Sequence, residues 1–344
     1  MSRAITTGGL RILCYHGISL ADEHLFNGYL FMRPELFRDR MHRMVAAGYH
    51  VLPLSEAVDL LRAGNLPPGS VVLTFDDVWY GVYRHALPVL AELKLPATLY
   101  VTTSAGEGRG AVFHIALQYL FWSTRAVSVD LAQLHCGLQG HYALTDPAQR
   151  QTLTEKLTAY GHALPSVERR QALLLDLAHE LGVDPRLLGE RRVCSLMGLG
   201  EIAEAGAAGF DIQLHTHGHT LSTTDHATLV REVTDNRTAL GRVLSRPRTH
   251  FCYPGGVYHP RVWPWLKELG IETATTCRHG LNYRNGNPLE LFRFLDGENV
   301  APVEFDAELA GTLDIVRWTR RALVRRGHRE TDGAYGGDRE DTES

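Results

Sequence analysis

Cysteine is scarce. The 344 residues contain five, Cys14, Cys136, Cys194, Cys252 and Cys277, and no two of them stand in C-x-x-C spacing. An odd, scattered set argues against a disulfide framework and against a cysteine-built zinc site. Long apolar runs are also missing, and none approaches the ~20 residues that a membrane-spanning helix requires. No block of like charge occurs: Lys plus Arg is 35 against 39 Asp plus Glu, a net charge of −4. The chain therefore lacks the electrostatic footprint of a nucleic-acid-binding protein. The opening residues, MSRAITTGGLRILCYHG, hold no long apolar stretch followed by a small-residue cleavage site, which predicts a cytoplasmic protein. What remains is a globular composition, 44% hydrophobic and 22% charged. The length suits one large α/β domain with insertions or two ordinary domains. Histidine is the abundant oddity, at 18 residues.

Short β-like runs alternate with amphipathic helical runs. Residues 11–15 (RILCY), 49–52, 70–75 (SVVLTF), 97–102, 210–214, 250–253 and 271–275 read as strands. Helical patterns occupy 34–47, 55–63, 81–93, 227–244 and 260–269, with Pro34 in a first turn and Gly48 and Gly64 just past helix ends. Such alternation predicts a parallel sheet or barrel with helices outside. The rhythm breaks over 105–195, where helical patterns at 112–123, 148–160 and 167–182 stand with almost no strand. This predicts a mostly helical insertion, a candidate cap, dividing a barrel made of 10–104 and 196–320. The polar, Gly-rich stretch 325–344 predicts a disordered tail.

In α/β barrels the chemistry collects at the carboxyl ends of the strands. Four strand ends carry polar residues suited to it. In LTFDDVWYG, Asp76 and Asp77 follow an apolar strand. Adjacent carboxylates repel unless something positive offsets them, and a metal does so when one ligates it and the other stays free to accept a proton. The same pair also suits a helix N-terminus. In DIQLHTHGHTLS, His215 and His219 have the H-x-x-x-H spacing that lets two imidazoles meet one metal, while alternation turns His217 away. In THFCYPGGVYHP the strand runs into a Pro-Gly-Gly turn, which either exposes backbone N–H groups to a developing oxyanion or is a plain tight turn. In RILCYHGIS, His16 follows the first strand, as a general acid or base or as a structural imidazole. Two imidazoles and one carboxylate with open positions make a catalytic rather than a structural centre. The donors suit Zn²⁺, and also Co²⁺, Ni²⁺ or Fe²⁺.

TFDD at 74–77, HTxxH at 215–219 and YPGG at 253–256 together resemble the polysaccharide deacetylase family, the NodB-homology group or carbohydrate esterase family 4, over roughly residues 10–300. The resemblance implies a distorted (β/α)7-type barrel and metal-dependent removal of N-acetyl groups from an amino-sugar-containing glycan or glycoconjugate. It further implies Asp76 as general base, Asp77, His215 and His219 as metal ligands, and Gly255 as the oxyanion N–H. Three departures stand out. Val78 occupies the place of the family's usual Gly, and Cys252 that of an Arg, so an Arg clamp on the base must come from elsewhere. The family's late L-x-x-H motif has no counterpart near 290–315, where LELFRFLDG holds no His. LCYH at 13–16 is similar to permuted members that carry this acid on the first strand, which points to His16, with His250 and His279 as alternatives.

Trp79, Tyr80, Tyr83, Tyr253 and Tyr258 lie near the motifs and are candidates to stack on sugar rings, or core residues. Other readings of the same residues are an amidohydrolase or deformylase acting on another C–N bond, a non-catalytic carbohydrate-binding relative, and a non-haem iron oxygenase. Acetate or formate release, metal content and oxygen consumption separate them.

Overall fold

A computed structural model describes residue 6, residues 8–104, 110–134, 136, 138, 140–317 and 319. The stretch 325–344, expected to be a disordered tail, lies outside the described residues. The centre is a curled parallel sheet. Its strands in chain order are β1 (Arg11–Tyr15), β2 (His50–Val51), β3 (Ser70–Asp77), β4 (Thr98–Val101), β5 (Asp211–Leu214), β6 (His250–Cys252), β7 (Thr273–Thr275) and β8 (Phe294–Leu295). They lie in the order β7–β6–β5–β4–β3–β1–β8, all parallel, with β2 beside the start of β3. A single parallel bridge, Thr275 to Leu291, draws β7 toward the segment entering β8 and curls the sheet toward closure. This is the barrel-like (β/α) fold expected from the sequence, with its two edges meeting through one bridge.

The strands form where they do because both faces are covered. All five residues of β1 are buried, and β3 is buried from Ser70 to Asp76. Runs of this kind lack the polar–apolar alternation of a half-exposed strand. Helices α1 (Pro34–Ala46) and α2 (Leu54–Ala63) pack outside. Helix α2 stops at Gly64, whose φ of +78° is the left-handed conformation that ends a helix without a Cβ penalty. The helix expected over 81–93 is divided instead: a π turn at Val82–Ala86 leads into an α-helix at Leu87–Glu92.

Between β4 and β5 the chain leaves the barrel. Helices α3 (Phe113–Ser123), α4 (Pro147–Ala163) and α5 (Val167–Glu180) pack on one another there. Caps support two of them: Asp146 accepts from the Ala148 N–H and Ser166 from the Arg169 N–H. A small antiparallel pair, Ser128–Asp130 with His141–Ala143, adds strand where almost none was expected. The buried side chains of these helices run into the same hydrophobic cluster as the barrel strands. The root of the insertion is tied to the barrel mouth. Ala111 bridges Ser195, Trp79 bridges Leu196, and the Met197 N–H donates to the Val78 carbonyl at 2.9 Å.

One buried ion pair fastens α1 to the last strand. Arg40 is fully buried, with Nε 3.5 Å from Asp296 Oδ2, Nη2 donating to the Val300 carbonyl at 2.7 Å, and its guanidinium 4.2 Å from the Phe305 ring centroid. Removing one partner strands the other charge away from water. Asp296→Ala is therefore expected to lower stability by about 3–5 kcal/mol, read from urea unfolding midpoints at constant m-value.

Candidate active site

The two adjacent aspartates at the end of β3 face different partners. The Val78 N–H donates to the Asp76 carbonyl at 2.6 Å, closing a three-residue turn centred on Asp77, and Asp77 and Val78 have φ of +62° and +63°. A γ-turn with positive φ is rare and strained. It reverses the chain within one residue, so the neighbouring carboxylates diverge. The buried Val78 adopts a φ that a glycine would take without strain. Four of the seven non-glycine residues with positive φ among the described residues, Asp77, Val78, Thr216 and His219, belong to the two motifs. Strain concentrated in this way is typical of functional sites and costs about 1–3 kcal/mol per residue.

Asp77 Oδ1 lies 3.5 Å from His215 Nε2 and 3.3 Å from His219 Nε2, and the two rings are 5.0 Å apart between centroids. The His215 Nδ1 sits 2.9 Å from the Cys252 carbonyl. Because a carbonyl only accepts, Nδ1 carries the proton in the neutral ring, which leaves the Nε2 lone pair beside Asp77 and free for a shared cation. Helix α6 (His226–Gly241) holds this loop from behind. Asn236, fully buried, accepts from the His215 N–H at 3.1 Å and donates to the Val101 carbonyl and Thr103 Oγ1, both at 3.0 Å. One turn earlier, Glu232 receives the His217 N–H through its carbonyl and the Gly218 N–H through its carboxylate at 2.7 Å. His217 points away from the pair, as alternation predicted, with Nδ1 2.8 Å from Thr103 Oγ1.

These donors fit a divalent cation. The ligand atoms of Asp77, His215 and His219 all lie within 4.8 Å of one another. Two further groupings share that spacing, Cys14 with His16 and Asp76, and Asp76 with His215 and Cys252. They are poorer sites for two reasons. Burial pushes both thiols well above the ordinary cysteine range, so they remain protonated donors. In addition, both oxygens of Asp76 are already engaged.

That engagement is the residue sequence reasoning missed. Arg293 Nη1 and Nη2 donate to Asp76 Oδ1 and Oδ2, each at 2.7 Å, and the guanidinium is fully buried. Its Nε donates to the Thr276 carbonyl at 2.8 Å. Cys252 and Cys14 approach Asp76 Oδ2 at 3.3 and 3.5 Å. Burial alone would raise the Asp76 pKa, but the Arg293 charge and its forked hydrogen bonds outweigh it and hold the carboxyl well below the usual range. The clamp thus comes from beside β8, not from position 252. The signal was present in LFRFL: a charged residue in an apolar run needs a buried acid.

His16 Nε2 lies 3.9 Å from Asp76 Oδ2 at the same barrel mouth. Burial holds its pKa below the ordinary histidine value, against the opposing pull of Asp76 and Asp77. The alternatives lie elsewhere. His250 begins β6, at the other end of that strand, with its ring nitrogens 2.8 Å from Ser55 Oγ and Thr273 Oγ1. His279 stands 3.9 Å from Glu308. Gly255, exposed with φ +58°, sits in the turn after β6. At Gly256 an added Cβ would meet Cys277 Cβ at 2.6 Å, so only glycine fits that turn.

The aromatic candidates need correcting. Trp79 is 3% exposed and packs edge-on against Phe31, and Tyr253 is fully buried with its hydroxyl donating to the Leu289 carbonyl at 2.9 Å. Both are core, because adjacency to a motif does not decide which face a side chain takes. Tyr80 is half-buried, stacked on Tyr83 and covered by the Arg192 guanidinium at 3.7 Å. Tyr258 stacks on Tyr253 and donates to Glu290.

The site therefore sets a triad of donors that fits a cation beside a clamped carboxylate, at the carboxyl ends of a parallel barrel. A family model described as polysaccharide deacetylase matches residues 63–117 and 196–274, the blocks that hold Asp76, Asp77, His215 and His219. Over these two blocks the chain is similar to the polysaccharide deacetylase family. No curated protein matches it by sequence. Among solved structures, the deacetylase PplD of Streptococcus pyogenes, in complex with acetate, is 19% identical, with a TM-score of 0.57 over 88% of this chain and 99% of that one. IcaB from Ammonifex degensii is 20% identical, with a TM-score of 0.56 over 88% and 96%. A de-N-acetylase from Aggregatibacter actinomycetemcomitans is 12% identical, with a TM-score of 0.53 over 87% and 99%. At these identities the likeness speaks to the fold.

Arg293→Lys keeps the charge but not the fork. It is expected to cost about 1.5–3 kcal/mol of stability, the worth of one hydrogen bond between charged groups, with bound metal unchanged. Urea unfolding and metal analysis on one preparation check both.

Proposed function

We propose that the chain removes N-acetyl groups from an amino-sugar-containing glycan, using a divalent cation, most simply Zn²⁺, held by Asp77, His215 and His219. The observation that carries this reading is the convergence of those three donors around one point while the adjacent Asp76 is turned away and kept ionised. A cation bound there supplies Lewis-acid polarisation of the acyl carbonyl and acidifies water, from a pKa of about 15.7 toward about 7 in the most favourable sites.

The chain's own groups do the rest. Asp76 accepts the proton of the attacking water. Arg293 keeps this carboxylate ionised and aimed, at the cost of making it a weak base, so it can act only on water that is already acidified. Gly255 offers its backbone N–H to the oxyanion that forms at the former carbonyl. His16 starts neutral near pH 7, because burial lowers its pKa. It receives a proton once Asp76, 3.9 Å away, has taken one up. It then donates to the departing amine, which leaves poorly unless protonated. The buried Cys14 and Cys252 thiols act as neutral donors that orient Asp76 and take no part in bond making.

Asp76→Asn is expected to abolish acetate release from N-acetylhexosamine oligomers while retaining metal. His215→Ala should lose both, and His16→Ala should lower kcat about 10²–10⁴-fold. Near-wild-type turnover by Asp76→Asn would show that the base is another group. Chelation should remove activity and added Zn²⁺ restore it; activity indifferent to chelator would count against the cation.

A further inference from the structure

We infer that the groove between α3 and α4 is a subsite for the neutral saccharide units flanking the one being deacetylated, so that the insertion reads substrate length. This rests on the deacetylase reading above. The groove has a volume of about 1040 Å³ and is lined by His114, Gln118 and Trp122 from α3 and Gln151, Thr154 and Thr158 from α4. Ligand pockets usually measure about 300–1,000 Å³, so this one exceeds what a single acetylated sugar needs.

Its place in the fold joins it to the reaction centre. Helix α3 starts where Ala111 bridges Ser195 and the Val112 N–H donates to the Cys194 carbonyl at 2.8 Å. The same strip, 194–197, is pinned to Val78, Trp79 and Tyr80, the residues directly after Asp77. His114, in the first turn of α3, is near enough for the charges of His219 and Asp77 to act on it. From there the groove follows α3 outward for eight residues to Trp122, about 12 Å at 1.5 Å per residue.

The lining chemistry selects the occupant. A sugar ring has apolar C–H faces and hydroxyl edges. Trp122 is 39% exposed yet braced by Phe26 and Tyr119, with ring centroids at 5.8 and 5.9 Å, which makes a rigid platform for such a face. Side-chain amides and hydroxyls line both walls; Gln151 already donates to Glu155 at 3.0 Å and Thr154 to the Arg150 carbonyl at 2.8 Å, which leaves their oxygens to accept from sugar hydroxyls. A nucleotide or phosphate would need clustered positive charge, whereas Arg150 is the one arginine or lysine among the lining residues, spends donors on the Leu144 and Phe121 carbonyls and stands in a groove that Glu155 also lines. The lining also holds Phe121, Pro147 and Ala159 and is more apolar than polar, but Gln and Thr side chains interrupt it where a lipid tail would call for aliphatic ones. The family model leaves 118–195 unmatched, so most of this groove is built from residues outside it.

The test compares wild type with Trp122→Ala and Gln151→Ala on N-acetylhexosamine oligomers of increasing length. For the longer oligomers kcat/KM is expected to fall about tenfold in Trp122→Ala, through KM, with less than about a twofold change on the monosaccharide. In parallel, metal-stripped protein is titrated with the same oligomers. Tighter binding with length, lost in Trp122→Ala, supports the groove. Acetate release that ignores length and is unaffected by both substitutions overturns the groove and leaves the deacetylase reading intact. Length-dependent binding that needs Trp122, with no acetate released from any oligomer, overturns the deacetylase reading and supports the groove. Binding of phospholipid vesicles in place of oligosaccharides overturns the saccharide assignment.

Discussion

The forked pair between Arg293 and Asp76 is the interaction on which the site depends. Two neighbouring carboxylates cannot both be ligands and bases without interfering, and both cannot stay ionised unaided. Here the strained turn at Asp77 separates them. One carboxylate turns inward to a fully buried guanidinium, and the other turns to two imidazoles. The first is stabilised by that guanidinium, and the second shares its space with two imidazole nitrogens that fit a common cation. In the function proposed above, the low basicity this imposes on Asp76 matches a water acidified by a cation.

The fold exists around that separation. Strands β1, β3, β5 and β6 deliver His16, the aspartates, the histidine loop and the Pro-Gly-Gly turn to one mouth, while β8 brings the arginine across from the far end of the chain. Behind them, Asn236 and Glu232 stand one helical turn apart and tie the histidine loop to α6 and β4. Positive φ at Asp77, Val78, Thr216 and His219 is tolerated because these surroundings over-determine the backbone.

Much of this was legible in the sequence, for physical reasons. The aspartate pair and the HTHGH run concentrate costly groups directly after apolar strands, and such concentration needs an explanation wherever it occurs. The β–α rhythm announced the sheet. Arg293 escaped notice because β8 has only two residues and so shows no period. The stretch holds no histidine, and what marks it instead is the distant acid that a buried arginine requires. Trp79 and Tyr253 could be read from the sequence either as sugar platforms or as core, because nearness in sequence to a motif does not tell which side of a strand or turn a ring occupies. The small Ser128–Asp130 hairpin partner and the groove depend on contacts between elements, which no local pattern encodes.

X-ray absorption at the zinc edge of the Zn²⁺-loaded protein tests the central claim most directly. The account predicts only nitrogen and oxygen neighbours at about 2.0–2.2 Å, with the outer-shell signature of two imidazoles and no sulfur. A sulfur shell at about 2.3 Å would mean that Cys14 or Cys252 holds the metal with Asp76. The division of labour between the two aspartates would then be wrong.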